Sequence, residues 1–371
     1  MKRALSFALF FALITFNINI TACAEELSIS AQAYVLYCVE NDTVILQKNA
    51  NEKMRVASTT KIMTTLLALE QCEASDPIVE FRDSMIAEGS SMYLKVGDSV
   101  HLSDLATGMM MASGNDAANA TALTISDSFE NFSELMNKRA KEIGMASTNF
   151  VTASGLDDDN HYSTALDMAK LMGEALQNER FCEITKNKAM TVEFLVPRKQ
   201  VTYNNHNRLL SLYEYCIGGK TGYTKSAGRC LVSAARKDGV TLIAVTLNAP
   251  SDWDDHIALY NHGFELYKAV ANDDKNETFT ANVVGGVADS VNLHCKKKIS
   301  VVVEKDCADK VTRIVYIPKF VYAPIKANQC VGVVVYRLDD EVVASTPLFA
   351  STDIGRKTED NKKGFFSKLF D

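Results

Sequence analysis

Three short clusters carry the residue types that acyl transfer through a serine requires: Ser58-Thr59-Thr60-Lys61, Ser113-Gly114-Asn115 and Lys220-Thr221-Gly222. A serine hydroxyl is a weak nucleophile until a neighbouring base accepts its proton. A lysine serves as that base once burial or a second cation lowers its pKa. Ser58 and Lys61 are three residues apart, which on a helix places them one turn apart on a single face. Lys220 is the candidate second cation. Ser113 and Asn115 offer a hydroxyl to relay a proton and an amide to hold a substrate amide. Thr221 offers a hydroxyl to a substrate carboxylate, and Gly222 admits close backbone approach. The substrate that follows is an acylated, anionic peptide end.

Taken singly, each cluster has a plainer explanation as a helix cap, a loop or a turn. A Ser-x-x-Lys is expected by chance roughly once in a chain this long, and a second Ser-x-Asn stands at Ser147-Thr148-Asn149. Lys-Thr-Gly is stricter, and the order of the three clusters with their flanking patterns separates them from accident. A Ser-His-Asp triad fits less well, because there is no Gly-x-Ser-x-Gly elbow and no histidine beside a plausible serine motif. His101, His161, His206, His256, His262 and His294 do not cluster, and His-Glu-x-x-His is absent. No metal and no cofactor is expected.

The elements that must position these residues are legible from periodicity. Tyr34 to Gln47 alternates around Glu40-Asn41-Asp42, which predicts a hairpin. From Ser58, the apolar positions Ile62, Met63, Leu66, Leu67 and Leu69 repeat at helical spacing, so Ser58 is expected at a helix N-terminus, where free N–H groups favour developing negative charge. Ser113 lies between the apolar run Leu102 to Met111 and a helix opening at Asp116, with Asn115 or Asp116 as its expected cap. Lys220 enters a strand, followed by a second hairpin, Arg229 to Ala235 and Val240 to Leu247, joined at Lys237-Asp238-Gly239.

At 371 residues and 47% apolar content the chain suits one large and one small domain with a sizeable core. Its formal charge of −7, without a concentrated basic run, disfavours a nucleic-acid partner. Lys2, Arg3, the apolar run Ala4 to Phe16 and Ala22-Cys23-Ala24 read as an export signal spanning residues 1–24. Cys23 also suits a lipid-acylated terminus. The eight later cysteines, scattered and without a Cys-x-x-Cys, are expected to be mostly buried free thiols. Residues 276–350 carry β-branched runs and predict a small all-β domain after a region of 25–270. The tail, 351–371, is polar and closes on Phe365, Phe366, Leu369 and Phe370 among lysines, a short amphipathic end for weak membrane association, or alternatively a frayed or docked terminus. Asp157, Asp158 and Asp159 read as solvating a loop.

Jointly, the blocks Ala57 to Thr64, Gly89-Ser90-Ser91, Ser113 to Ala118, Asn149 to Leu156, His161 to Ala169 and Gly219 to Ala235 resemble the low-molecular-mass penicillin-binding proteins of the D-alanyl-D-alanine carboxypeptidase type. The resemblance implies a mixed α/β (α+β) fold of the β-lactamase and transpeptidase kind, with an antiparallel sheet packed by helices, followed by a β-sandwich-like domain. It implies that Ser58 attacks the carbonyl between two D-alanines of a peptidoglycan stem peptide. Lys61 would take its proton, Ser113 and Asn115 would complete the relay, and Lys220 would support the site electrostatically. Thr221 and Thr224 would bind the terminal carboxylate, and the N–H groups of Ser58 and Tyr223 would form an oxyanion hole, a contact worth about 3 kcal/mol. Penicillins and other β-lactams would acylate the same serine. One departure stands out: His206 occupies the place where some members carry a carboxylate-binding arginine, with Arg208 nearby. Rival readings are a β-lactamase, which lacks its Glu-x-x-Leu-Asn block here, a non-catalytic penicillin or peptidoglycan sensor, and a cross-link endopeptidase.

Overall fold

The hairpin expected around Glu40-Asn41-Asp42 forms, with Ala33–Cys38 antiparallel to Thr43–Lys48. The structure, a computed structural model, describes residues 27–271, 274–296 and 299–357. The expected signal segment and the apolar tail residues Phe365, Phe366, Leu369 and Phe370 lie outside these. Ala33–Cys38 pairs on its other edge with Val240–Leu247, then come Gly228–Lys237 and Cys216–Thr224, giving a five-stranded, wholly antiparallel sheet. The second hairpin turns at Asp238 and Gly239, both at positive φ (49° and 85°), the conformation that a two-residue turn needs to match strand twist. The first strand therefore closes onto the last two hundred residues later, and the Lys220 strand is left at the sheet edge.

Each face of the sheet is covered by helix. On one, Leu36, Ala235, Leu242 and Ala244 pack under Leu259, Tyr260 and Phe264 of helix Asp252–Leu266. On the other lies the larger core, centred on helix Lys61–Ala74, in which every residue from Lys61 to Leu69 is buried. A helix buried all round marks the middle of a core. Truncating Leu66 to Ala at such a site costs about 2–5 kcal/mol. Around it stand Leu102–Met111, Asn115–Ile125, Phe129–Ile143, Ala165–Ala175 and Glu179–Lys186. Ser128, Thr164 and Asn178 cap the last three by accepting from Asn131, Asp167 and Phe181 N–H groups.

Two expectations at helix starts are corrected. The regular helix begins at Lys61, and Ser58 sits one tight turn earlier, in a short 3-10 segment over Ala57–Thr60. Neither Asn115 nor Asp116 holds the cap position, which is Gly114; Asp116 accepts the first-turn N–H of Ala117 at 2.9 Å from inside the helix. The Asp116 carboxylate also gathers Ser91 Oγ, Met92 N and Leu94 N of the preceding loop.

After Leu266 the chain is all-β among the described residues, apart from a short helical turn at Lys305–Lys310. Six strands order as 311–316, 330–338, 341–350, 290–294, 279–284 and 321–322. Tyr267–Ala271 forms a ribbon with Ser300–Glu304. Along that second strand Val301 and Val303 enter the β core with Phe279 and Leu348, while Val302 turns to Tyr260 and Phe264. The period of two thus ties one strand to both cores.

Of the eight cysteines among the described residues, all are free, but only Cys38, Cys230 and Cys295 are buried; Cys330 is exposed. The expectation of mostly buried thiols holds for three of the eight.

Candidate active site

The turn over Ala57–Thr60 holds Ser58 against the edge strand. A Cβ added at Gly222 would lie 3.0 Å from Ser58 N and 3.0 Å from Val56 O, so the glycine is what lets strand and turn touch. Ala57 and Ser113 both adopt left-handed backbone, φ 47° and 57°. Such conformations in residues with a Cβ are costly and are sustained by surrounding packing.

Lys61 Nζ lies 3.0 Å from Ser58 Oγ, 2.7 Å from Asn115 Oδ1 and 2.7 Å from Ser154 O. The ammonium group is 0% exposed and, among the described residues, has no carboxylate within ion-pair distance. Burial foremost, then the Lys220 charge, holds its pKa well below the ordinary lysine value, against a smaller opposing pull from Asp116. A neutral amine has two N–H bonds and a lone pair. Donating to the Asn115 amide oxygen and the Ser154 carbonyl leaves the lone pair for the Ser58 hydroxyl proton.

Lys220 Nζ donates to Ser113 Oγ at 3.0 Å and to Thr221 O at 2.7 Å. At 1% exposure, its pKa is pushed down to about 7 by burial. Asn115 is fixed by donating Nδ2 to Glu88 O at 2.6 Å, and a Cβ on Gly89 would come within 2.9 Å of that nitrogen. Two hydrogen-bonded sets, Ser58–Lys61–Asn115 and Ser113–Lys220, therefore meet at one cavity that Ser58 and Ser113 both line.

A cavity of about 290 Å³ opens beside them, lined by Ser58, Ser90, Ser113, His206, Thr221, Gly222 and Tyr223, and at its far end by Arg229, Asp252 and Trp253. Thr221, Gly222 and Tyr223 thus reach the cavity. Thr224 does not line it; its hydroxyl donates to Asp157 Oδ1 at 2.9 Å and accepts from Ala227 N at 3.0 Å. Asp157, expected to solvate a loop, bridges to the turn after the edge strand through Thr224 and Ser226. His206 lines the cavity, whereas Arg208 does not.

Sequence reasoning assigned no role to the residues supporting Lys61 from behind. His161 Nδ1 accepts from the N–H groups of Val151 and Thr152, which places its proton on Nε2, donating to Thr60 Oγ1 at 2.8 Å. Burial lowers this imidazole to about 4, so it stays neutral. The loop it anchors carries Ser154 O, the acceptor for Lys61. Gly155 (φ +80°) lets that loop pass so close that a Cβ would sit 1.9 Å from Ala57 O. The signal was present in the sequence as Thr-Ala-Ser-Gly and His-Tyr-Ser-Thr, but only the fold connects either block to Lys61.

Residues 20–251 match the model of the D-alanyl-D-alanine carboxypeptidase family, and residues 264–356 that of the penicillin-binding protein 5 C-terminal domain. The chain belongs to the D-alanyl-D-alanine carboxypeptidase family. D-alanyl-D-alanine carboxypeptidase DacF of Bacillus subtilis is 33% identical, over 100% of this chain and 97% of its own length. DacC of Escherichia coli is 32% identical over 94% and 88%. The crystal structure of penicillin binding protein 5 from Haemophilus influenzae superposes with a TM-score of 0.70 at 29% identity, covering 89% of this chain and 98% of that one. The carboxypeptidase is thus a serine-type peptidase hydrolase with the mixed α/β fold and all-β appendage of its relatives. Activity on D-alanyl-D-alanine and penicillin binding follow from that membership.

Proposed function

We propose that Ser58 is the nucleophile and Lys61 its general base in removing the terminal D-alanine from peptidoglycan stem pentapeptides. The carrying observation is a fully buried Lys61 amine 3.0 Å from Ser58 Oγ. Ser58 Oγ attacks the carbonyl between the two D-alanines while its proton passes to Lys61 Nζ. The oxyanion forms against the N–H groups of Ser58 and Tyr223, which are brought together by the close approach at Gly222. Collapse breaks the C–N bond, and the leaving D-alanine amine takes the proton held by Lys61, relayed through Ser113 Oγ, which receives a hydrogen bond from Lys220; Lys61 is thereby returned to its neutral form. Water, deprotonated by Lys61, then hydrolyses the ester. Asn115 holds both Lys61 and the substrate amide, and Thr221 receives the terminal carboxylate. A β-lactam amide presented to Ser58 acylates it in the same way.

The partition of the chain into a catalytic region, 25–270, and a β domain, 276–350, without chemistry of its own belongs to this reading. So does export under the N-terminal signal. No helix among the described residues is long and apolar enough to cross a membrane, and weak membrane association is assigned to the tail. The test is D-alanine release from a peptide ending in Lys-D-Ala-D-Ala, comparing the wild-type chain with Ser58→Ala. Release that vanishes in the variant supports the reading, and release that survives ends it.

A further inference from the structure

The far end of the cavity holds an arginine that the motifs do not include. Arg229 stands on the strand Gly228–Lys237, directly opposite Tyr223 and one diagonal step from Thr221, which pairs with Leu231. Cross-strand partners share a face, and diagonal neighbours about 7–8 Å apart are within reach of a long side chain. Asp252, at the start of the covering helix, binds the guanidinium along one edge: Nε to Oδ1 at 3.1 Å, Nη2 to Oδ1 at 2.7 Å and Nη2 to Oδ2 at 3.0 Å. The carboxylate is itself fixed by Trp253 N at 3.0 Å, and the Trp253 ring lies 5.6 Å from the guanidinium carbon.

These contacts lock the arginine without exhausting it. Nη1 has no hydrogen-bond partner among the described residues, and the Arg229 side chain is 43% exposed where Asp252 is 3%. Both partners line the cavity, Asp252 buried and Arg229 open, and Thr221 lines the same cavity. The Thr221 hydroxyl is likewise without a protein partner among the described residues. An arginine held on one edge and open on the other is preorganised for a planar carboxylate.

Resting on the reading of the site given above, we propose that Arg229, together with Thr221, receives the free α-carboxylate of the leaving D-alanine and makes this enzyme selective for peptides ending in a free acid. His206 occupies the position where some relatives offer a cation, and the charge reaches the same cavity from the neighbouring strand instead. Trp253 lines the same cavity beside Arg229, its ring 5.6 Å from the guanidinium carbon.

The test compares two peptides of identical sequence ending in Lys-D-Ala-D-Ala, one with a free C-terminus and one with a C-terminal amide. Release of D-alanine or D-alaninamide is followed for the wild-type chain, R229Q and R229K. The wild type is expected to prefer the free acid. R229Q should lower kcat/KM on the acid by roughly 10- to 100-fold, the range for losing a charged hydrogen-bond donor, while leaving the amide unchanged. R229K, which keeps the charge and its pairing to Asp252, should fall between them and so excludes a folding defect. An R229Q that slows both peptides equally, or neither, overturns the proposal. A wild type that cleaves neither peptide, though folded, overturns the underlying reading of the site instead.

Discussion

Two buried cationic centres in this molecule treat charge in opposite ways. In the β domain, Arg313 meets the fully buried Asp274 through Nε at 2.8 Å and Nη2 at 2.6 Å, and Tyr336 OH donates to the other carboxylate oxygen. Glu277 adds a second carboxylate at Arg313 Nη2, so the cation there is met by acids. Around Ser58, Lys61 and Lys220 are buried with amide, carbonyl and hydroxyl oxygens, and no carboxylate among the described residues contacts either. Pairing keeps a buried charge permanently ionised and silent. Withholding the partner brings the lysine toward neutrality, where it can exchange a proton near pH 7. The difference separates a structural centre from a chemical one.

The largest expected effect removes the nucleophile. Ser58→Ala should lower acylation by at least about 10⁴-fold and abolish covalent labelling by penicillin, read by intact-protein mass spectrometry. Next, Lys61→Arg keeps the charge but never deprotonates, so D-alanine release should drop by about 10²- to 10⁴-fold while the circular dichroism spectrum is retained. If it remained active, Lys61 would not be the base.

Stability tests the contrast directly. The folded state binds the Lys220 proton less well than the unfolded chain does, so burial costs stability most fully below pH 7. The cost shrinks as pH rises from about 7 towards the unfolded lysine value. Lys220→Met should therefore raise stability, by about 0.5–2 kcal/mol, with the gain fading at high pH, and it should abolish activity. Asp274→Ala should do the reverse, costing about 1–3 kcal/mol by removing the buried carboxylate that Arg313 and Tyr336 bond, while Glu277 keeps its pairing to Arg313, with turnover retained at temperatures where the β domain is folded. Urea denaturation of both variants at two pH values reads the signs; equal signs would dissolve the contrast.

The smallest effect is in the pH profile. Acylation needs Lys61 neutral and Lys220 charged, so kcat/KM should fall on the acid side as Lys61 protonates and on the alkaline side above about 7 as Lys220 loses its proton. Lys220→Arg should move only the alkaline limb. A shift of the acid limb alone would reverse the two assignments.

Much of this site was legible because acyl transfer through a serine constrains residue types at short range. Ser58 to Lys61, Ser113 to Asn115 and Lys220 to Gly222 are local patterns, and both hairpins announce themselves by alternation, the second also by Asp238-Gly239 at its turn. Ser154, Gly155, His161 and Arg229 were not legible as site residues. Each acts through a contact whose partner lies far away in sequence: Ser154 O on Lys61 across 93 residues, His161 on Thr60 across 101. Thr224 reads as a carboxylate ligand by its place after Lys-Thr-Gly, yet its hydroxyl is committed to Asp157 across 67 residues.

The sequence by itself determined the family and the α/β region with its all-β appendage, and it nominated Ser58 and Lys61 as nucleophile and base, because these rest on residue type, spacing and periodicity. Only the tertiary structure decided the protonation balance and the shape of the cavity. A lysine becomes a base through the water it loses and the cation it faces. Burial and facing are properties of surfaces brought together by packing, which no local stretch of the chain contains.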